Sequence, residues 1–221
     1  MDAVQVAYRT RAAEPGTKLS LMVLADGPEG CAAVDVSSGA LVRAIYSGEP
    51  EKPLQPFELV RAVIAEDPDG PDPTQPDAVS LTAPPEPAGR VRGRQARRLI
   101  APVLLPAGEP PFGFPGSAAQ YWTIPGDRPS LAVLAPDRAP TVQMHGHDSV
   151  TCRFAWSGAD HELPVADRRL RHAMAAGDWP RLSGPTLRQV LGFDPAWLLV
   201  ALSAPQAGRC YKVVAGMLAR P

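Results

Sequence analysis

The feature that most constrains the fold of this chain is its proline content. The 221 residues include 27 prolines, about 12% of the chain against a usual share near 5%, and 19 of them lie between residues 50 and 140. Proline lacks a backbone N–H and fixes φ, so it ends helices and is confined to the edges of sheets. We therefore expect no long helix in this middle region, short edge strands, and exposed loops at residues 68–76 and 84–87.

The size and charge of the chain limit the classes of protein to which it can belong. A hydrophobic content of 45% over 221 residues suits one large all-β domain or two domains of about 100 residues. The net charge of −1 predicts that nucleic acid would be attracted only to a local basic patch. We expect a cytoplasmic protein without a membrane partner, because no apolar stretch reaches the roughly 18 residues of a membrane span and the first residues do not form a signal peptide.

Alternating apolar residues predict strands in the first part of the chain. The alternation of residues 19–25 marks a first buried strand. Residues 31–36 and 40–45 flank a Ser-Ser-Gly turn, in which the glycine can reverse the chain, and they predict a hairpin. Residues 59–65 fit a helix or a strand by their period. The first 17 residues are polar and predict a loose arm.

The last third of the chain predicts strands that enclose two short helices. Residues 150–156 form a strand that turns four apolar side chains to one face: Val150, Cys152, Phe154 and Trp156. Asp167 is placed to cap a helix over residues 168–176, and Pro185 to begin a second helix that ends at residue 191. The apolar runs at residues 197–202 and 213–218 belong in a core. Strands with short helices between them and a closing strand are typical of a small β-barrel.

Three segments of the chain carry a resemblance to a known family. They are the hairpin with Ala33-Val34-Asp35 and the run from Ser38 to Arg43, the strand and turn from Cys152 to Asp167, and the ending with Leu199 to Ser203 and Cys210 to Ala215. In these segments the chain resembles the bacterial dual OB-fold domain proteins, which consist of two consecutive oligonucleotide/oligosaccharide-binding barrels. The ending is the most specific match, whereas residues 68–87 and 118–122 depart from the family pattern.

The resemblance implies a mainly β fold of two consecutive small OB-like β-barrels with a few short helices. It divides the chain into a loose arm at residues 1–17, a first barrel with a proline-rich insertion at residues 18–128, and a second barrel with two short helices at residues 129–221. By analogy it implies binding of single-stranded nucleic acid, since OB-folds are a common scaffold for that function.

One cluster of positive charge could bind nucleic acid. Five arginines occur within nine residues: Arg90, Arg92, Arg94, Arg97 and Arg98. A surface that binds single strands combines such charge with flat side chains on which bases stack. Arg153, Tyr211 and Lys212 lie on predicted strands of the second barrel and are further candidates. The aromatic side chains of the apolar runs are expected in the core instead: Phe154, Trp156 and Trp197. The alternative interpretation of the arginines is a solvated surface paired with nearby acidic residues.

The histidines suggest a different function, a metal-dependent enzyme. His145 and His147 could place two imidazoles on one face of a strand, and Asp148, Asp160 or His161 could complete a zinc site. His145, His147 and His161 are therefore the candidate metal ligands. A solvated turn is the simpler interpretation of this segment, because the His-x-His spacing also occurs by chance.

The chain contains no complete catalytic signature. A Walker loop, a dinucleotide fingerprint and a nucleophile elbow are all absent from the sequence. The cysteines are expected to be reduced and structural: Cys31, Cys152 and Cys210. We therefore expect no catalytic residue and no cofactor. A non-catalytic nucleic-acid-binding protein and a protein–protein adaptor, which would use edge strands or an apolar patch, explain the sequence about equally well.

Overall fold

The computed structural model describes residues 14–27, 30–67, 72–124, 126, 128–146 and 149–221. Within these residues the chain is mainly β, with fourteen strands and three short α-helices. The strands form one six-stranded and two four-stranded sheets, which are curled and include a half-barrel. Most of the predicted N-terminal arm, residues 1–13, lies outside the described residues.

The six-stranded sheet contains the strands of the first part of the chain. These are β1 (Lys18–Gly27), β2 (Gly30–Asp35), β3 (Leu41–Ile45), β4 (Glu58–Val63), β5 (Ala78–Ser80) and β6 (Glu86–Arg90). Their order across the sheet is β5-β3-β2-β1-β4-β6. The predicted hairpin is confirmed as the antiparallel pair β2 and β3. The ambiguous segment at residues 59–65 forms a strand, since it pairs with both β1 and β6.

The six-stranded sheet curls because its two sides are joined. Strand β3 pairs in parallel with β5. A bridge between Ile64 and Leu81 then connects the chain after β4 to the chain after β5, and the Ala65 N–H donates to the Ser80 carbonyl at 2.8 Å. The predicted short edge strands of the proline-rich region are confirmed, since β5 and β6 have three and five residues and lie at the two edges.

Two four-stranded sheets contain the later strands. These are β7 (Ala118–Gln120), β8 (Leu131–Leu134), β9 (Thr141–His145), β10 (Ser149–Trp156), β11 (Ala159–Pro164), β12 (Arg181–Ser183), β13 (Pro195–Leu202) and β14 (Arg209–Ala219). One sheet has the order β11-β10-β9-β12 and the other β7-β14-β13-β8. A parallel bridge between Val165 and Val214 joins them. The predicted alternation in β10 is confirmed, because all four of its apolar side chains are buried.

Three helices connect or cover these strands. Helix α1 comprises Gly93–Ile100, α2 comprises Arg168–Ala176 and α3 comprises Gly184–Leu191. The last two confirm the helices predicted from sequence. Helix α3 ends at Gly192, whose φ of 76° is the left-handed conformation that glycine adopts without strain. None of the described helices is long and apolar enough to cross a membrane.

Removing the cap of α2 should destabilise the protein. Asp167 is 2% exposed, and its Oδ1 accepts the backbone N–H groups of Arg169 and Leu170 at 3.0 and 3.1 Å. Asp167→Ala leaves both donors without an acceptor, so we expect a loss of about 1–2 kcal/mol in the free energy of unfolding, measured by urea denaturation. Asp167→Asn keeps a capping oxygen and should lose less. Equal losses in the two variants would contradict this account.

One buried apolar cluster is shared by the six-stranded sheet and the sheet β7-β14-β13-β8. In β1, Leu21 and Val23 face the interior of the curled sheet, whereas Met22 and Leu24 face the other sheet. Opposite them lie three residues of β13 whose predicted burial is confirmed, Trp197 at 8%, Leu199 at 0% and Ala201 at 4% exposed. Val200, which was also predicted to be buried, is 0% exposed on the other face of β13. The division near residue 128 stays a prediction, and residues from both sides of it share this cluster.

The interior also contains an arginine that forms polar contacts between two sheets, and three buried cysteines. The Arg43 guanidinium, in the middle of β3, donates to the carbonyl oxygens of Ser130 and Leu202 at 3.2 and 2.9 Å and so ties the two sheets together. The three cysteines are free and buried. Burial raises the pKa of the Cys31 and Cys152 thiols to about 12, and such protonated thiols behave as small apolar side chains.

Candidate nucleic-acid interface

Helix α1 presents three of the five predicted arginines on one exposed face. Arg94, Arg97 and Arg98 are spaced i, i+3 and i+4, which places them side by side on a helix. The opposite face carries Ala96 and Ile100, both 0% exposed, which pack into the shared cluster. The apolar face fixes the helix on the protein, and the arginines therefore face solvent.

The remaining arginines extend this basic surface. Arg90 ends β6 and Arg92 is the residue before α1, and both are exposed. The Arg97 Nε–H donates to the Pro221 carbonyl oxygen at 2.5 Å, so the exposed Arg220 lies next to the cluster. Among the described residues, no Asp or Glu side chain forms an ion pair with any of these six arginines. We call the six, residues 90, 92, 94, 97, 98 and 220, the basic surface.

Arg153 lies in a different place, on the outer face of the sheet β11-β10-β9-β12. With Arg138 and Arg181 it lines an open groove of about 480 Å³. The Arg153 Nε–H donates to Glu162 Oε2 at 2.8 Å, and Arg138 forms an ion pair with Asp160. The lining therefore has three arginines and two carboxylates, a surplus of one positive charge. The groove is less basic than the basic surface.

Lys212 is buried, although the sequence suggests it as a surface cation. It is 3% exposed, its Nζ donates to the Phe114 carbonyl oxygen at 2.6 Å, and it lies 4.2 Å from the centroid of the Phe114 ring. Burial lowers the pKa of the Lys212 ammonium to about 8. In this position the ammonium does not reach a phosphate in solvent. Tyr211, its neighbour on β14, points to the opposite face of the strand and is partly exposed.

Two of the candidate metal ligands, His145 and His161, are not brought together. His145 pairs with Ser149 and His161 pairs with Phe154 across β10, and these positions lie on opposite faces of the sheet because five residues separate them. The His145 Nε2 lies 2.9 Å from Thr151 Oγ1, whereas the His161 ring stacks on Phe154 at 5.2 Å.

His147 lies outside the described residues, as does Asp148. Within the part of the chain that the structure describes, no group of three or more His, Cys, Asp or Glu side chains could hold a metal ion. The geometry of His145 and His161 therefore does not support a site that uses both.

The aromatic side chains divide between core and surface. The predicted core residues are buried, with Phe154 at 3%, Trp156 at 4% and Trp197 at 8% exposure. Sequence reasoning missed the exposed ones, Trp122 at 64% and Tyr121 at 45%, together with Trp179 at 40%. Their position in turns, outside any run of alternating apolar residues, is the sequence signal that could have predicted their exposure. Nothing in the sequence indicated that Arg138 and Arg181 would join Arg153. The pairing of β12 with β9 brings Arg181 there, and the loop between β8 and β9, which is bonded to β10 through the Asp137 N–H and the Ala155 carbonyl, brings Arg138.

No protein-family model matches the chain, and comparisons with curated proteins and with solved structures find no match either. The resemblance to the dual OB-fold proteins therefore stays an expectation from the sequence. What the protein binds has to follow from the chemistry of its surfaces.

Proposed function

We propose that this protein is a non-catalytic nucleic-acid-binding protein that contacts phosphates mainly through the basic surface. The observation that carries the proposal is the exposed face of α1, where Arg94, Arg97 and Arg98 stand side by side without an ion pair to any described Asp or Glu side chain. Arginine is suited to this role because its planar guanidinium donates two parallel hydrogen bonds to one phosphate.

We also propose that the chain forms two OB-like barrels. For the first, the supporting observation is the strand order. Strands β1, β2 and β3 form an antiparallel meander, β3 pairs in parallel with β5, and β4 pairs with β1 while bridging to the chain after β5. A five-stranded barrel closed in this order is characteristic of the OB-fold.

For the second barrel, the supporting observation is the same strand order, except that the first strand is divided into two. Strands β8 and β9 together take the place of the first strand, because β8 pairs with β13 and β9 with β10. Strand β11 follows β10, the bridge from Val165 to Val214 runs in parallel, and β14 pairs with β13. Helices α2 and α3 lie between the third and fourth strands of this arrangement.

Packing between the sheets limits where a nucleic acid can bind. The residues of β1 to β3 that face away from the first barrel include Met22, Leu24 and Val34, all 0% exposed, and they pack against β13 and β14. This face is therefore covered. Helix α1 lies beside it with its arginines in solvent, so the basic surface is the accessible part of the first barrel that carries concentrated positive charge.

Replacing the five clustered arginines should abolish binding. The variant carries glutamine at positions 90, 92, 94, 97 and 98. In fluorescence anisotropy with single- and double-stranded oligonucleotides, the wild type should bind with a strong dependence on salt, since each phosphate contact releases counterions. The variant should lose affinity for oligonucleotides of different base sequence to a similar extent, because phosphates carry no sequence information.

A matched pair of triple variants separates the position of the charges from the net charge. Arg94, Arg97 and Arg98 are replaced by glutamine in one, and the exposed Lys18, Arg168 and Arg188 in the other. Both change the net charge by −3. We expect the first to lower the salt slope of log K for single strands by about two units and the second to leave it unchanged. Equal slopes, or a wild type that binds no oligonucleotide at low salt, would contradict the proposal and favour a protein adaptor.

A further inference from the structure

The most exposed large aromatic residues of the described chain form a pair. Trp122 is 64% and Tyr121 is 45% exposed, and both belong to the short 3-10 turn Tyr121–Thr123 that follows β7. Their ring centroids are 5.1 Å apart with an interplanar angle of 82°. In this edge-to-face geometry one ring uses only its edge, so flat aromatic surface is left uncovered.

The pair is held in place by backbone contacts. Strand β7 pairs with the start of β14, with Gln120 opposite Arg209. The Tyr121 N–H donates to the Gly208 carbonyl at 3.1 Å, and the Ile124 N–H donates to the Tyr121 carbonyl at 3.3 Å. The Trp122 ring packs against Gly208, since a Cβ atom added to this glycine would lie 3.6 Å from the ring, in ordinary van der Waals contact. The aromatic rings are therefore displayed on a fixed turn and are not buried by it.

A cation and a third aromatic ring lie on β14, the strand that pairs with β7 just before the aromatic pair. Arg209 is exposed, and no described carboxylate forms an ion pair with it. Tyr211 lies two residues further along β14 and so on the same face as Arg209. Burial raises the pKa of the Cys210 thiol, with a smaller contribution from the nearby carboxylate of Asp72, whose Oδ1 accepts two hydrogen bonds from Thr74.

We infer that Tyr121, Trp122, Arg209 and Tyr211 form a second site, at which unpaired bases stack on the aromatic rings while Arg209 contacts the backbone phosphate. We call these four residues the aromatic platform. The inference rests on the proposed function and adds to it a preference for single strands. Bases are accessible for stacking only when they are unpaired, and flat side chains beside a cation are what such strands require.

The aromatic platform and the basic surface lie at opposite ends of β14. That strand begins at Arg209 and ends at Ala219, next to the contact between Arg97 and Pro221. Eleven residues extend over roughly 30 Å in a β-strand. A nucleic acid strand that keeps a rise of about 3.4 Å per nucleotide needs on the order of ten nucleotides to contact both surfaces. Short oligonucleotides should therefore bind more weakly than long ones.

The test compares Trp122→Ala with Trp179→Ala, a matched change of another exposed tryptophan. The probes are a thymidine oligonucleotide of about 16 nucleotides and a duplex of the same length. Trp122→Ala should weaken single-strand binding roughly tenfold, the effect of losing one stacked base, and leave duplex binding unchanged. Trp179→Ala should change neither. Trp122→Phe should keep most of the affinity but lose the quenching of tryptophan fluorescence that the single strand causes in the wild type.

The possible failures are distinguishable. If the arginine variants lose binding while Trp122→Ala binds the single strand as the wild type does, the platform is overturned and the proposed function stands. If the wild type binds neither probe, both are overturned. If the wild type sediments as a dimer and Trp122→Ala as a monomer, the aromatic pair is a protein interface, and the platform is likewise overturned.

Discussion

Leu199→Asp is expected to unfold the protein. Leu199 is 0% exposed in the middle of β13, where it pairs with Val133 on one side and Gly216 on the other. The change removes about 2–3 kcal/mol of apolar burial and places an unpaired carboxylate in a cluster shared by two sheets, at a further cost of several kcal/mol. The sum is comparable to the total stability of a typical domain, which is about 5–15 kcal/mol.

Circular dichroism and thermal denaturation would measure this effect. Leu199→Met conserves side-chain volume and should cost less than about 1.5 kcal/mol, so it controls for the loss of leucine itself. Because the cluster includes Met22 and Leu24 of β1, we expect the six-stranded sheet to be destabilised as well. A soluble Leu199→Asp variant with the thermal midpoint of the wild type would refute the assignment of this residue to the core.

Stability should fall steeply above pH 9. Burial raises the pKa of the Cys31 thiol, with a smaller contribution from Asp26, and of the Cys152 thiol, each from the usual 9.0 to about 12. Between these values the native protein keeps protons that the unfolded chain releases. The stabilisation is therefore complete below pH 9 and is lost as pH rises towards 12. Two thiols together should lower the free energy of unfolding by roughly 3 kcal/mol per pH unit in this range.

Lys212 acts in the opposite direction. Burial lowers the pKa of its ammonium from 10.5 to about 8, so between these values the unfolded chain holds a proton that the native protein has released. Its contribution to stability therefore rises with pH across that window, by about half of what the two thiols remove per pH unit. The net result for the wild type is a fall that begins near pH 9.

Urea denaturation from pH 7 to about 10.5 under reducing conditions would separate the two contributions. The variant Cys31→Ala/Cys152→Ala should lose most of the alkaline fall, whereas Lys212→Met should fall more steeply than the wild type. Comparing slopes removes the constant cost of each substitution. The same pH dependence in all three proteins would show that these groups are not buried as described.

Local sequence patterns determined much of the secondary structure. The strand β10 was predictable because alternate residues of a strand face opposite sides, and helix α2 because Asp167 and Gly177 mark its ends. The spacing of apolar residues did not decide whether the segment Glu58–Val63 forms a helix or a strand, since a short apolar run fits both. Its pairing with β1 and β6 made it a strand. That choice depends on residues far away in the sequence.

The candidate site, too, was determined partly by the sequence and partly by the tertiary structure. Sequence alone determined that five arginines crowd into nine residues, because a local cluster stays local in any fold. Only the tertiary structure decided that Arg94, Arg97 and Arg98 face solvent together, that Lys212 is buried against Phe114, and that His145 and His161 lie apart. Exposure and proximity depend on which strands pair and which faces pack, and those are set by contacts between residues distant in the chain.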